Sequence, residues 1–379
     1  MGIIRLLLAL SVVAVHCGTI WKFDFVGGQV SVQSFYIISG FYMTMVLNEK
    51  YINENSSYKL FITNRMLRLY PIYWVVVLLT ILTCTVLFCL SDGMLPTTLT
   101  NYSHININVL PLIGLIISNV VIFGQDMIMF LGIDTNTGNL FWTKNFAESP
   151  VRLHGFLFIQ QSWTLALELM FYLIAPLILR RGWKVVAILI ISSCALRLVL
   201  YNYFKLTNDP WTYRFFPTEL MFFLLGYFSY RIYLKVKNAP ASNLVGLLSL
   251  LLIMGSTVVY FFIPQIKINF SPFSLNEIFY FTLISFSIPF LFITFKRSRL
   301  DNKIGELSYP VYISHLLVYT ICMNLPFVQL RTGLSIALLT ILFSIVLNKL
   351  IADPVEKFRQ SRLSKKGKEI NPQLAFIAN

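Results

Sequence analysis

The clearest structural signal in this chain is the uncharged segment PIYWVVVLLTILTCTVLFCL, residues 71–90. Folded as an α-helix, a segment of this length extends for about 30 Å. This is the thickness of the hydrocarbon core of a lipid bilayer, in which an uncharged apolar helix is stable. The segment therefore predicts a helix that crosses a membrane.

Comparable apolar segments recur along the whole chain. The predicted spans are 3–20, 30–47, 71–90, 163–179, 183–203, 213–230, 243–263, 277–295, 304–325 and 333–352. Segments in lipid must satisfy their backbone polar groups internally, which favours helices. The sequence thus predicts an all-α fold, a polytopic transmembrane helical bundle of about ten spans. We expect one membrane domain over residues 1–356, followed by a short basic cytoplasmic tail at 357–379.

Composition supports a membrane location and excludes other classes of protein. Of 379 residues, 57% are hydrophobic and 12% are charged, whereas soluble proteins carry about 25% charged residues. The net charge of +14 comes from Lys and Arg beside apolar spans, which indicates contact with membrane lipids and not with nucleic acid. Five cysteines contain no CxxC pair, so neither a disulfide framework nor a metal site is expected. They are Cys17, Cys84, Cys89, Cys194 and Cys322.

The distribution of Lys and Arg predicts the orientation of the spans, because cytoplasmic segments are enriched in these residues. A further apolar segment, 109–124, is ambiguous; if it crossed the membrane, the RRGWK turn at 180–184 would face outward. We therefore expect ten spans, both termini cytoplasmic, and an extracytoplasmic excursion over 91–162. Within it, 109–124 dips into the membrane or packs on the bundle. The N-terminal segment lacks a small-residue cleavage site and is expected to remain as an uncleaved span.

Ionisable side chains inside the predicted spans are the first candidates for a functional site. Each costs about 2.5–3.5 kcal/mol on insertion scales, so each needs a partner or a function. They are Arg5, His16, Glu168, Arg197, Glu219 and His315. Arg197 and Glu219 fall at comparable depth on consecutive spans, which favours a structural salt bridge between them.

Arg5, His16 and Glu168 form the pattern that points to catalysis. Eleven residues separate Arg5 from His16, so both lie on one helical face, about 16 Å apart. His16 then lies in the outer half of the membrane, and Glu168, five residues after Trp163, lies at similar depth. A neutral imidazole beside a carboxylate is a competent general base for a hydroxyl group. The alternatives are a hydrogen bond between helices for His16 and an interface anchor for Arg5.

The segment NRMLRLYP, residues 64–71, carries a pair of arginines before the third span. Arg65 and Arg68 are three residues apart and share one helical face at the cytoplasmic interface, and Pro71 is expected to open the next span. Two guanidinium groups aimed one way suit phosphate recognition. The alternative is that cytoplasmic segments are rich in arginine in general.

Small residues interrupt the second predicted span. The segment ISGF, residues 38–41, places Ser39 and Gly40 in mid-membrane, where small residues favour close helix packing. Ser39 lacks a local base that would activate it as a nucleophile.

Taken in order, these segments resemble the integral-membrane acyltransferase 3 family of O-acyltransferases. The likeness runs from about Arg5 to Glu356. The matching segments are IRLLLALSVVAVHCG with Arg5 and His16, VQSFYIISGF at 32–41, NRMLRLYP with Arg65 and Arg68, SWTLALELMFY at 162–172 with Glu168 in the acidic position, LSYPVYISH at 307–315, and the final DPVEKF. Each motif alone is weak, but the first five, in register on ten spans, are specific.

The resemblance implies transfer of an acyl group, by family frequency acetyl, from cytoplasmic acetyl-CoA or another acyl-CoA. The acceptor would be a hydroxyl of an extracytoplasmic glycan or lipid-linked saccharide, with no bound cofactor and no metal, in the bacterial cytoplasmic (inner) membrane. His16 and Glu168 would be catalytic, with His16 the candidate carrier if the acyl group is held covalently. Arg5, Arg65 and Arg68 would bind the polyanionic donor. Candidates for lining a pore are Ser39, Arg197, Glu219, Tyr309 and His315.

Two departures from the family and two rival functions accompany this interpretation. Gln33 stands where many members have an aspartate, and no extension for a fused hydrolase-like domain follows the last span, so we expect direct transfer or transfer to a separate partner.

A glycan transporter or flippase would show internal repeats and interrupted helices, and no repeat is found. A structural subunit of a polysaccharide-export complex would tolerate loss of His16 and Arg5.

Overall fold

In a computed structural model of the chain, which describes residues 1–49, 58–95, 97–239, 242–324 and 332–367, helices dominate. The helices are α1 (Gly2–Cys17), α2 (Gly27–Glu49), α3 (Tyr58–Leu90), α4 (Thr98–His104), α5 (Val109–Val121), α6 (Gln125–Ile128), α7 (Trp163–Ile178), α8 (Trp183–Asn202), α9 (Phe216–Val236), α10 (Ser242–Val259), α11 (Leu275–Phe295), α12 (Arg299–Asn324), α13 (Gly333–Leu347) and α14 (Asp353–Gly367). A π-helical turn at Asn348–Ala352 joins α13 to α14. Two short strands, β1 (Leu131–Ile133) and β2 (Leu140–Trp142), pair antiparallel.

Each of the ten predicted spans coincides with a long helix of the bundle. Within the described ranges, seven helical segments are long and apolar enough to cross a membrane. They are Gly27–Glu49, Tyr58–Leu90, Gln160–Ile178, Trp183–Asn202, Asn243–Phe262, Leu275–Phe295 and Gly333–Arg362. The other three are α1, which has only 16 residues, and α9 and α12, which are richer in polar and charged residues. The chain is thus a helical, multi-pass membrane protein.

Helix α3 begins at Tyr58, well before the predicted span, so the prediction that Pro71 opens a span is wrong. Pro71 lies inside the helix, where its ring removes one backbone hydrogen bond. Membrane helices tolerate such prolines because neighbouring groups bond the freed backbone. Close to this proline, the Tyr309 hydroxyl donates to the carbonyl oxygen of Leu69 at 2.7 Å, which ties α3 to α12. As a consequence, the arginine pair of NRMLRLYP belongs to the same helix as the apolar segment.

Helix α5 packs beside α3 and is followed by a chain reversal. It has 13 residues, about 20 Å, which is shorter than a bilayer core. At its C-terminal end the Tyr73 hydroxyl donates to the Asn119 carbonyl oxygen at 2.7 Å. At its other end the Asn108 amide donates to the Gly138 carbonyl oxygen at 3.0 Å, so the chain returns to where the helix began. This agrees with the expectation that 109–124 packs on the bundle.

Helices α2 and α9 approach each other at two glycines. A Cβ atom on Gly40 would lie 1.8 Å from the carbonyl oxygen of Phe223, and one on Gly226 would lie 2.2 Å from that of Ile37. Only glycine permits backbones to come this close in a membrane bundle. The close packing expected at ISGF is therefore confirmed.

Helices α8 and α10 form part of the outer surface and expose apolar side chains. Examples are Ile188, Ile191, Leu251 and Leu252. A soluble protein rarely exposes such continuous apolar area, and lipid is the environment that suits it. The central helices α1, α2, α7, α9 and α12 supply most of the buried core.

Candidate active site

A cavity of about 100 Å³ lies between α1, α2, α3, α7 and α12. Its polar lining residues are Arg5, Tyr36, Ser39, Tyr42, Arg68, Thr164, Glu168, Tyr172, Ser308, Tyr309 and Tyr312, and its apolar ones are Val32, Phe35, Ile38, Met43, Leu69 and Leu165. Five residues singled out from the sequence thus line one cavity, although they come from five helices. They are Arg5, Ser39, Arg68, Glu168 and Tyr309.

Two arginines give this cavity its positive charge. Arg5 lies within the first turns of α1, whose N-terminal amides from Gly2 and Ile3 donate to Asp301 at 2.7 and 3.0 Å. A carboxylate at that position fixes the start of a helix. Arg68 is exposed and also lines the cavity, so the cavity opens at this residue. Among the residues that the structure describes, neither guanidinium group makes a hydrogen bond or an ion pair.

Glu168 is the negative charge of the same cavity. Its Oε1 accepts hydrogen bonds from the Ser39 hydroxyl at 2.8 Å and from the Tyr172 hydroxyl, one turn further along α7. Its Oε2 has no hydrogen bond in the described part of the chain. A carboxylate with one oxygen held and the other bare can accept a hydrogen bond from a ligand.

Arg65 occupies a different environment from Arg68. It is buried, with 6% of its surface exposed, and its guanidinium group lies 5.7 Å from the ring centre of Phe61. Three residues turn a helix through about 300°, so the two arginines are close along α3 but not superimposed. Arg68 lines the cavity and Arg65 does not.

Helix α14 packs against the start of α3, beside these arginines. Arg362 donates to the side-chain oxygens of Asn64 and Thr63, both at 3.0 Å. The predicted basic tail at 357–379 therefore begins inside a helix, and its residues from 368 onward lie outside the described ranges. The contact of Arg362 with Asn64 and Thr63 depends on how the two helices pack, which no local sequence pattern encodes.

His16 lies against another histidine. Its ring centre, near the end of α1, is 5.2 Å from that of His315 on α12. His315 is fully buried, and its Nδ1 lies 2.6 Å from the Tyr312 carbonyl oxygen. Because a carbonyl oxygen only accepts, this Nδ1 carries the proton. The Nε2 of His315 has no hydrogen-bond partner among the described residues.

The pair expected from the sequence, His16 with Glu168, is not brought into contact. Glu168 bonds to Ser39 and Tyr172, whereas His16 packs against α12. Similar depth in the membrane does not define the direction in which each side chain leaves its helix, and here the two side chains point to different neighbours.

Tyr312 connects the cavity with the two histidines. Its side chain lines the cavity, and its ring centre lies 6.1 Å from that of His315. Its hydroxyl donates to the Gln161 carbonyl oxygen at 3.1 Å and lies 2.9 Å from the Thr164 hydroxyl. These bonds tie the start of α7 to α12.

Two tyrosines of the site were missed in the sequence, although spacing could have revealed them. Tyr172 follows Glu168 by four residues, and Tyr312 precedes His315 by three. Both separations place side chains on one helical face. A search for polar residues on the faces of Glu168 and His315 would have found them.

Arg197 and Glu219 form the predicted ion pair, away from the cavity. Their side chains are 2% and 0% exposed, and the Gln33 amide nitrogen lies 3.2 and 3.1 Å from the two carboxylate oxygens of Glu219. An aspartate at position 33 would oppose this carboxylate, whereas glutamine donates to it. Of the five candidate pore-lining residues, Ser39 and Tyr309 line the cavity, and Arg197, Glu219 and His315 do not.

A second polar cluster surrounds Arg214, before α9. Arg214 forms a two-point ion pair with Asp209, with nitrogen–oxygen distances of 2.8 to 3.0 Å, and lies 4.2 Å from the ring centre of Trp163. Burial, with Arg214 nearby, lowers the pKa of His154 to about 4. No group of three His, Cys, Asp or Glu side chains suited to a metal ion occurs within the described ranges.

Comparison with known proteins gives one match. A family model described as an acyltransferase domain matches residues 1–349, which include every residue that lines the cavity. No significant match is found among curated proteins or among solved structures.

Proposed function

Because this chain belongs to the integral-membrane acyltransferase 3 family, we propose that it moves an acyl group from a cytoplasmic acyl-CoA to a carbohydrate hydroxyl. The acceptor is an extracytoplasmic glycan or a lipid-linked saccharide, and the acyl group is acetyl. The observation that carries the proposal is the cavity that joins Arg5, Arg68 and Glu168 and reaches, through Tyr312, the histidine pair.

The arginines suit the donor. Coenzyme A is polyanionic and cannot enter lipid, whereas its pantetheine arm is thin and uncharged. Arg68, exposed at the opening, and Arg5, further along, are free within the described residues to bind phosphate or the polar part of the arm. A cavity of about 100 Å³ admits only the narrow end of such a ligand. Glu168 Oε2 can accept a hydrogen bond from an amide N–H of the arm.

His16 suits the chemical step. We assign it the removal of the proton from the acceptor hydroxyl as the oxygen attacks the thioester carbonyl. The carbon–sulfur bond then breaks, and the thiolate of coenzyme A takes the proton from the His16 imidazolium. General-base help of this kind contributes about 10²–10⁴ in rate. Tyr312 stands where the thioester would pass from the cavity to His16.

This scheme requires the membrane orientation that the distribution of Lys and Arg along the chain predicts. Ten crossings with both termini cytoplasmic bring Arg5, Arg65 and Arg68 to the cytoplasmic side, where acyl-CoA is found. His16, about 16 Å further along α1, is then on the side of the acceptor. We propose the bacterial cytoplasmic membrane as the location.

The test is release of coenzyme A by the purified protein supplied with acetyl-CoA and lipid-linked saccharide. Wild type should release free thiol and acylate the acceptor. Arg68→Ala should raise the KM for acetyl-CoA at least tenfold. Arg297→Ala, which removes an exposed arginine away from the cavity, serves as the matched control and should leave KM unchanged. Equal KM values for the two variants, or no thiol release by wild type, would contradict the proposal.

A further inference from the structure

We propose that His315 is a positioning residue for His16, the role expected of Glu168 from the sequence. It fixes the orientation and tautomer of the His16 ring and supports the positive charge that the ring acquires. This inference rests on the proposed function, in which His16 is the general base.

The hydrogen bond of His315 defines which of its nitrogen atoms is available. Since Nδ1 donates to the Tyr312 carbonyl oxygen at 2.6 Å, Nε2 keeps its lone pair and can only accept. This Nε2 is fully buried, and no partner for it exists among the described residues. Buried acceptors without a partner are rare because they are costly, and each calls for an explanation.

The ring of His16 is placed to satisfy that acceptor. The two ring centres are 5.2 Å apart, with the planes tilted by 55°. His16 is exposed, and its side chain has no hydrogen bond in the described part of the chain, so its ring can turn. An N–H of His16 can then donate to His315 Nε2, which leaves the other ring nitrogen of His16 as the base.

The proton balance of the step follows from this arrangement. The free nitrogen of His16 takes the hydroxyl proton of the acceptor, while the N–H on the opposite side of the ring stays bonded to His315. The resulting imidazolium is stabilised by the lone pair of His315, and the departing thiolate removes the proton that His16 took. His315 keeps its own proton throughout, because that proton is bonded to Tyr312.

Glu168 is occupied elsewhere. Its Oε1 holds Ser39 and Tyr172, and it lies in the cavity, which His16 does not line. His315 is therefore the orienting partner that the geometry offers to His16.

Two substitutions separate positioning from packing, because they copy different nitrogen atoms of histidine. His315→Gln places an acceptor oxygen near the position of Nε2 and loses the bond to Tyr312. His315→Asn keeps a donor near the position of Nδ1 and loses the acceptor. We expect His315→Asn to lower kcat at least thirtyfold with the KM for acetyl-CoA within twofold, and His315→Gln to retain several times more activity than His315→Asn. Rates are expressed per monodisperse protein, with the melting temperature recorded for each variant.

The outcomes distinguish this inference from the proposed function. Higher activity in His315→Asn than in His315→Gln would show that the bond to Tyr312 matters and would overturn the positioning role. Normal kcat in His315→Asn, with His16→Ala inactive, would also overturn it and leave the proposed function standing. Activity in a folded His16→Ala protein would instead remove the base on which both depend.

Discussion

Glu168 binds Ser39 and Tyr172 through a single oxygen, and this asymmetry defines what the residue can do. In Glu168→Gln the amide oxygen can still accept those two hydrogen bonds, so the bundle should keep its melting temperature. The amide nitrogen, however, would replace the bare Oε2 with a donor. An N–H group of the pantetheine arm would then face the amide N–H of the substituted side chain instead of a carboxylate oxygen that accepts its hydrogen bond. The KM for acetyl-CoA should therefore rise about tenfold. Steady-state kinetics of wild type and variant measure this.

The same experiment tests the expectation from the sequence that Glu168 is the partner of His16. Loss of an orienting group lowers kcat, because such a group acts on the transition state and not on donor binding. A fall in kcat with unchanged KM would therefore contradict the role in donor binding. Ser39→Ala is the matched control, since it removes one hydrogen bond to Oε1 and leaves the charge of Glu168 in place.

At the residue level, the sequence identifies candidate side chains but does not show which of them lie in contact. Buried charge is costly in lipid, and this criterion included Arg5, His16 and Glu168 among its six candidates. The rise per residue of a helix then predicted the depth of each residue in the membrane. The contact between His16 and His315 depends on the rotation of α1 against α12, and periodicity within one helix contains no such information.

Among the helices, the contact of α2 with α9 is the most sensitive to a small change. A methyl group on Gly40 would lie 1.8 Å from the Phe223 carbonyl oxygen, so the helices would have to separate. Overpacking of this kind costs about 1–3 kcal/mol. We expect Gly40→Ala to lower the melting temperature in detergent and to reduce transfer, since Ser39 moves with α2.

Gly255→Ala is the matched control for that substitution. Gly255 also lies within a helix, α10, but a Cβ atom there would meet nothing within 4 Å. Alanine has the better helix propensity, by about 0.8–1.0 kcal/mol, so this variant should be at least as stable as wild type. Equal melting temperatures for the two variants would mean that α2 and α9 are not closely packed.

Helix α14 gives a second prediction at this level. Arg362 bonds to Asn64 and Thr63 on α3, and a hydrogen bond from a charged group contributes about 1.5–3 kcal/mol when buried, less here because the site is half-exposed. Arg362→Ala should loosen α14 from the segment that carries Arg65 and Arg68, and raise the KM for acetyl-CoA several-fold. Lys349→Ala, an exposed cation in the π-helical turn, should change neither KM nor melting temperature; if both variants behave alike, α14 has no part in donor binding.

The helices themselves were largely predictable, and their ends were not. Apolar segments located a helix at each of the ten predicted spans, because lipid favours helices in such segments. The start of α3 was missed because Pro71 is a strong stop signal in water, whereas membrane helices tolerate a proline in their interior. The return of the chain after α5 depends on contacts with α3 that no local pattern encodes.

For the whole molecule, orientation in the membrane is the property on which the site depends. If ten helices cross and both termini are cytoplasmic, a reporter fused within residues 126–150 reads as extracytoplasmic and one fused after Arg181 reads as cytoplasmic. The reason is that the chain after α5 returns to the start of that helix. The chain therefore leaves the bundle after α3 and re-enters it at α7 on the same side of the membrane. Opposite signals at both positions would mean that 109–124 crosses, and that the arginines and His16 have exchanged sides.

The role of His16 as the general base is tested by acyl transfer with the His16→Ala protein. The measurement is the rate at which purified, monodisperse protein moves a labelled acetyl group from acetyl-CoA to the saccharide, with the melting temperature recorded in parallel. His16 is exposed, and the bond that its removal would cost is the one that we propose to His315, so the protein should stay folded with only a small decrease in melting temperature. We expect the transfer rate to fall by about 10²-fold or more. A folded His16→Ala protein with a near-normal transfer rate would contradict the role of His16 as the general base.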